Sequence, residues 1–218
     1  MTSTVRPTTA VVERASVSDI PELITVWWDA FGSEHMQRIF PQTPDGRLWL
    51  ERAFKQFLGP APGPNELKTE CLIVRSPDTG IPVAIAIYRI VPAGSDAAKQ
   101  SWRARWPAVD DLPDFSDAAV NGFFSPMEKA HAHVLGDRGH VFLEVLGTIE
   151  AFQKRGYGTA LVKWGTDLAD QLRVECYLDA SPAGKPLYEA NGYAEQDVSA
   201  IIEKQSAASM LRPKKSQD

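Results

Sequence analysis

Apolar positions along the chain fall into recognisable rhythms. From Phe142 they run nearly unbroken (Phe142, Leu143, Val145, Leu146), the composition of a buried strand. Past Gly156 they return at Leu161, Trp164, Gly165, Leu168 and Leu172, the spacing of one packed helix face. Between the two lies Gln153-Lys154-Arg155-Gly156-Tyr157-Gly158-Thr159, so a strand is predicted to pass through a glycine-bearing turn into a helix. Upstream, the apolar start at residues 10–14 reads as a first strand. Ser16 and Asp19 form a capping box for a helix over 17–31 that buries Ile20, Leu23, Ile24, Trp27 and Trp28. Pro41 and Pro44 break the chain before a second helix over 48–58, and the glycine- and proline-rich 59–65 is a loop. Strands over 70–75 and 82–91 follow, joined by the turn Pro77-Asp78-Thr79-Gly80.

Residues 92–139 are too many for a structureless connection inside one domain. Trp102 and Trp106 are a helical turn apart, and Ser125-Pro126-Met127-Glu128 carries the cap, proline and glutamate of a helix start, predicting a helix over 126–135. After the motif helix come a strand over 175–179 and a helix over 185–191 that stops at Gly192. A last strand is predicted over 195–203 with Val198, Ile201 and Ile202. The ends, 1–9 and 205–218, are expected to be disordered, leaving a single domain over 10–204 with an insertion at 92–139.

Composition narrows the class without deciding it. With 218 residues, 44% hydrophobic and 23% charged, the chain can bury a sizeable core and reads as an ordinary globular protein. A net charge of −5 argues against a sequence-independent nucleic-acid binder. Cys71 and Cys176 sit in apolar runs and read as buried free thiols. No apolar run is long enough for a membrane span, and the N-terminus lacks a signal-peptide core, so a cytoplasmic address is expected.

The chemistry concentrates at the glycine turn. A helix start there leaves backbone N–H groups without intrahelical partners beside the positive end of the helix dipole, a site suited to a phosphate-bearing ligand. It is not a P-loop, because no Gly-Lys-Ser/Thr follows, nor a dinucleotide fingerprint, because Leu161 stands where the third glycine belongs. The whole string Gln-x-x-Gly-x-Gly-Thr-Ala-Leu after an apolar strand resembles the acetyl-CoA pyrophosphate loop of the GCN5-related N-acetyltransferase (GNAT) superfamily. Tyr177-Leu178-Asp179-Ala180-Ser181-Pro182 through Tyr188, with Asn191-Gly192-Tyr193, is similar to that family's closing strand and helix, in a form common in filamentous fungi.

The resemblance implies a mixed α/β fold. It would have a curved, mostly antiparallel central sheet splayed between its fourth and fifth strands, with helices on both faces. It also implies acetyl-CoA as co-substrate, held by the N–H groups of Gln153, Lys154, Arg155, Gly156, Tyr157, Gly158 and Thr159. A backbone N–H near Leu146 or Gly147 would polarise the thioester, with Thr148 and Ser181 completing the contacts. Tyr188, four residues before Gly192, stands where the family places a general acid for the departing thiolate. The natural alternative is a tyrosine packed on its helix with the hydroxyl in water. Glu144 is the candidate base, on the same strand alternation as Leu146, with Glu150, His133, His140 or a water as alternatives. His131-x-His133 lacks a third ligand for zinc. The family's usual proline before the glutamine is absent from Thr148-Ile149-Glu150-Ala151-Phe152, so the strand exit is expected to differ.

Trp102, Trp106, Phe115, Phe123, Phe124 and Met127 either line an acceptor pocket under the insertion or form the insertion's own core. Asp110, Asp111, Asp114 and Asp117 are either a solvated loop or a lure for a cationic amine. The leading expectation is an N-acetyltransferase moving acetyl to the primary amine of a small molecule. A protein or peptide acetyltransferase and a non-catalytic acyl-CoA-binding module are the alternatives. The acceptor's identity and the oligomeric state are not spelled by the sequence.

Overall fold

Seven strands form one sheet: β1 (Val12–Arg14), β2 (Lys68–Arg75), β3 (Pro82–Val91), β4 (His140–Thr148), β5 (Glu175–Ala180), β6 (Ala194–Glu195) and β7 (Ala208–Arg212). The structure, a computed structural model, describes residues 10–60, 67–95, 101–202 and 207–215; the expectations for 1–9, for most of the 59–65 loop and for the ends of the 195–203 and 205–218 segments lie outside them. Strand order is β1-β2-β3-β4-β5-β7-β6, and every neighbouring pair is antiparallel except β4–β5. Those two run parallel, linked by helix α6 (Tyr157–Leu172).

The β4–β5 ladder is short, running from His140↔Glu175 to Leu143↔Leu178. Beyond it β4 stays paired to β3 as far as Thr148↔Ala84, while β5 pairs with β7 through Asp179↔Ser209 and Ala180↔Ala208. The strands therefore part into a V. A β-bulge sits at its vertex: Ile87 pairs with Val145 and Tyr88 with Leu143, leaving Glu144 as the extra residue on β4.

Helices cover both faces. Helices α1 (Ile20–Ala30), α2 (Glu34–Gln37), α3 (Pro44–Phe57), α4 (Trp102–Arg105) and α5 (Asp117–Leu135) pack a core with Ile73, Ile85, Ile87 and Val145 on one side. On the other, α6 and α7 (Lys185–Glu189) bury Leu161, Val162, Ala169 and Tyr188 against Leu72, Ala86, Tyr88, Leu143 and Leu178. Gly165 exists for this contact. A Cβ there would lie 2.3 Å from Tyr88 Cε1, and the Tyr88 hydroxyl donates to Leu161 O of the same helix at 3.0 Å. Among the described residues no helix is long and apolar enough to cross a membrane.

Several boundaries differ from the sequence reading. Pro44 does not break the chain; it is the first residue of α3, whose N-cap Thr43 accepts from the Gly46 N–H. Helix α5 begins at Ser116, not Ser125, and Pro126 lies inside it. Glu128 does not cap its own helix either: its Oε2 accepts from the Trp102 N–H at 2.7 Å, closing the start of α4.

The largest correction is at the C-terminus. Residues 199–201 form a turn rather than the expected strand, and the last long strand is β7, inside the segment expected to be disordered. Met210 is fully buried there, and Arg212 is clamped to Asp170 of α6 at 2.8 and 3.1 Å.

Candidate active site

The opening of the V continues into a cleft of about 730 Å³. Its cofactor side is made of backbone. Gly156, at φ +85°, caps α6, and Lys154 stands at φ +60°, so two left-handed residues turn successive N–H groups the same way. The first three N–H groups of α6 (Tyr157, Gly158, Thr159) have no intrahelical acceptor, and no side chain caps them. This concave row of donors fits a pyrophosphate. Gly158 faces α7, where a Cβ would touch Leu187 Cδ2 at 3.4 Å. Gln153 braces the turn through its side chain, donating to Thr148 O at 3.3 Å.

Of the residues singled out by sequence, Leu146, Gly147, Thr148, Gln153, Lys154, Gly156, Tyr157, Gly158, Thr159, Ser181, Tyr188 and Glu144 all line this one cleft. Arg155 does not. Its guanidinium donates to Ala151 O at 2.9 Å and lies over the Phe152 ring, away from the cleft. Gly147 also admits the end of α1: a Cβ there would meet Ala30 Cβ at 3.0 Å and Phe31 Cε2 at 3.4 Å.

Glu144 is the main revision. The bulge takes it off the alternation shared with Leu146 and turns it toward α4. Its side chain is 4% exposed and receives Arg89 at 2.6 Å, Arg105 at 3.0 Å and the Trp106 indole N–H at 2.8 Å. Burial alone would raise its carboxyl, but the two guanidinium charges and these hydrogen bonds reverse that and hold it at about 2. A carboxylate so committed is a poor proton acceptor.

Tyr188 is 8% exposed, and among the described residues its hydroxyl makes no hydrogen bond to the protein. Burial pushes its phenol up to about 12, so it is protonated across the neutral range. Opposite, on β5, stands a residue the sequence reading placed on a strand but gave no role. Asp179 is the first β5 residue past the V, and its Oδ1 accepts from the hydroxyls of Tyr177 at 3.0 Å and Ser209 at 3.1 Å. Burial dominates and pushes it up to about 7. The only signal for it was an acid inside an apolar strand.

The other side is apolar. Phe123, Phe124 and Met127 of α5 line it together with Phe31, Met36, Phe142 and His131. Trp102, Trp106 and Phe115 instead join the domain's core, where Trp106 stacks on Trp49 at 5.2 Å. The insertion thus both lines the cleft and joins the core. Its acids do not reach the cleft: Asp111 pairs with Arg52 and Asp117 with Arg103, both exposed. His133 is exposed, and His131 pairs with His140, Nε2 to Nε2, at 2.8 Å.

Residues 115–193, from the start of α5 to just past α7, match the Acetyltransferase (GNAT) family. Over that stretch the chain is similar to GNAT acetyltransferases. The fold has solved counterparts. One is a histone acetyltransferase HPA2-related acetyltransferase from Corynebacterium glutamicum (TM-score 0.60, 19% identity, covering 96% of this chain and 99% of that one). Another is arylalkylamine N-acetyltransferase 2 from Aedes aegypti (0.61, 11% identity, 94% and 99%). A third is the paiA N-acetyltransferase from Thermoplasma acidophilum in complex with coenzyme A (0.53, 12% identity, 94% and 99%). No curated protein matches the sequence.

Proposed function

We propose that this protein is a GNAT acetyltransferase that moves an acetyl group from acetyl-CoA, its co-substrate, to the primary amine of a small, largely apolar molecule. The observation that carries the reading is the lining of the acceptor side by Phe123, Phe124, Met127, Phe31 and Met36, contributed by the insertion and the end of the first helical segment. Such a wall favours an apolar body over the charged, extended backbone of a peptide. Aedes aegypti arylalkylamine N-acetyltransferase 2 and a Drosophila melanogaster polyamine N-acetyltransferase share the fold and act on small amines by name. A protein or peptide acceptor is the second reading, since a structure of the NatC complex bound to Gag peptide and CoA shares the fold too. The closing string through Tyr188 and Tyr193 supports kinship with the filamentous-fungal branch, and a cytoplasmic address accompanies it.

In this reading the N–H groups of residues 153–159 grip the pyrophosphate, with Lys154 adding charge from the cleft wall. Thr148 and Ser181 flank the pantetheine path, and a backbone N–H at Leu146 or Gly147 on the free edge of β4 polarises the thioester carbonyl. Tyr188 gives its proton to the departing thiolate.

The test follows release of free CoA from acetyl-CoA across a panel of amines and peptides. Apolar primary amines should be turned over with kcat/KM at least tenfold above lysine-containing peptides. Tyr188→Phe should lower kcat about 100-fold with acetyl-CoA stabilisation kept. Preference for peptides, or a Tyr188→Phe variant as fast as wild type, would overturn the reading.

A further inference from the structure

We propose that Asp179 is the group that takes the proton from the incoming amine, held in place by Tyr177 and by Ser209 of the C-terminal strand. The inference rests on the amine-acetylating reading of the cleft and names the proton acceptor that reading lacks.

Two carboxylates stand at the vertex of the V, and the structure treats them oppositely. Glu144 is bound by two guanidiniums and an indole N–H. Asp179 lines the same cleft, and only neutral hydroxyls contact it, both on Oδ1. Among the described residues Oδ2 has no hydrogen-bond partner, which leaves it as an acceptor for something in the cleft. Arg105, the cation that bears on it, is paired with Glu144, so burial remains the larger influence on Asp179, and an ammonium in the cleft would offset that cost.

The step balances. Oδ2 takes one proton from R–NH3⁺, giving the neutral amine and a carboxylic acid. The nitrogen lone pair then forms the C–N bond to the thioester carbon. As the C–S bond breaks, its electron pair goes to sulfur, which is protonated by Tyr188. The resulting phenolate recovers a proton from the nitrogen, and Asp179 returns its own to water. The products are the amide, free CoA and one proton.

A base works best when its proton affinity matches the working pH, and burial brings Asp179 up to about 7. The groups that bear on it are named by the same geometry. The hydroxyls of Tyr177 and Ser209 and the Arg105 charge pull its affinity down, while Glu144 pushes it up. His131, also on the cleft wall, is held well below its ordinary value by burial and by His140, so it stays neutral over the range and contributes no limb there. Tyr188, at about 12, titrates above it.

The experiment measures kcat/KM against pH from 5.5 to 9 for an apolar amine, with acetyl-CoA thermal stabilisation recorded for each variant. Wild type should show an acidic limb near pH 7. Asp179→Asn should lower kcat/KM about 100-fold and abolish that limb, while keeping the acetyl-CoA shift. Its melting temperature at pH 8 should equal or exceed wild type, because the variant no longer buries a charge. Ser209→Ala should stay active but move the limb to higher pH, since it removes a bond that favours the ionised carboxyl. An Asp179→Asn variant within threefold of wild type, or a limb unmoved in Ser209→Ala, would sink the proposal. So would loss of the acetyl-CoA shift in Asp179→Asn, which would make the residue structural. If wild type acetylates peptides but no small amine, with Asp179→Asn still inactive, the acceptor reading fails while the role of Asp179 stands.

Discussion

The two sides of the cleft are built on different principles. Its cofactor side is a local object, in which one strand, one turn and one helix, contiguous in sequence, aim backbone donors at a phosphate. Its acceptor side is assembled from α1, the insertion helix, β5 and the C-terminal strand, pieces far apart in the chain. The first recognises what every substrate pair shares, the co-substrate, and needs little more than glycines and a helix start. The second recognises what is particular, and depends on side chains brought together only by folding. Breaking each side separately should expose the difference.

The largest effect is expected on the acceptor side, at Glu144→Gln. The substitution leaves Arg89 and Arg105 buried with their shared anion gone, and removing one partner of a buried ion pair costs about 3–5 kcal/mol. Chemical denaturation should show that loss at neutral pH. The wild-type pair has a pH signature as well. Its carboxyl is lower in the folded state (about 2) than its ordinary value, so the folded state binds fewer protons than the unfolded state. The contribution is therefore complete above the ordinary carboxylate range and lost as pH falls toward 2. Glu144→Gln should flatten that acid dependence. Unchanged stability in the variant would mean the carboxylate is not the clamp it forms here.

That contrast also explains what the sequence made legible. The strand–turn–helix and the place of Tyr188 on its helix could be read because their geometry depends on neighbours in the chain. Phe142 to Thr159 carries its own periodicity, glycines and helix start. The role of Glu144 could not be read, because a single bulge opposite Ile87 and Tyr88 reverses the alternation on which any facing argument depends. Helix α5 could have been found from Val120, Phe124, Met127, His131 and Leu135, which keep helical spacing across Pro126. The local Ser-Pro-x-Glu signal was the stronger one and pointed nine residues too late. Strand β7 is short, and its worth lies in Met210 packing and in Ser209 meeting Asp179, neither of which is visible without the fold.

On the cofactor side the sharper test is Gly165→Ala. A methyl there would lie 2.3 Å from the Tyr88 ring and 2.5 Å from its hydroxyl, too close for either to stay. Tyr88 is fully buried and tied to Leu161 O, so it has little room to give. Overpacking of this kind costs about 3 kcal/mol, at the upper end of its usual range. The melting temperature should drop by several degrees, and because α6 carries the phosphate-binding N-terminus the variant should bind acetyl-CoA less well and gain less from saturating acetyl-CoA than wild type does. Glu144→Gln, on the β4 bulge and not in that helix, should gain as much from acetyl-CoA as wild type does. An equal gain in both variants would erase the distinction between the two sides.

The smallest expected effect separates two adjacent basic residues in the phosphate turn. Lys154 lines the cleft and sits at a left-handed φ of +60°, whereas Arg155 points back onto Phe152 and Ala151 O. Both are exposed, so neither contributes more than screened charge. The difference between them is direction alone. Lys154→Gln should raise the KM for acetyl-CoA about threefold at low salt, with the gap closing as ionic strength rises. Arg155→Gln should leave KM within experimental scatter at any salt and change at most the packing of the turn. Asn in place of Lys154 should do no harm to the backbone, since it tolerates that φ, so a large loss in Lys154→Asn but not Lys154→Gln would point away from charge. If Arg155→Gln proves the more damaging of the two at low salt, the turn rearranges when acetyl-CoA binds, and the cofactor side is less pre-formed than its backbone geometry implies.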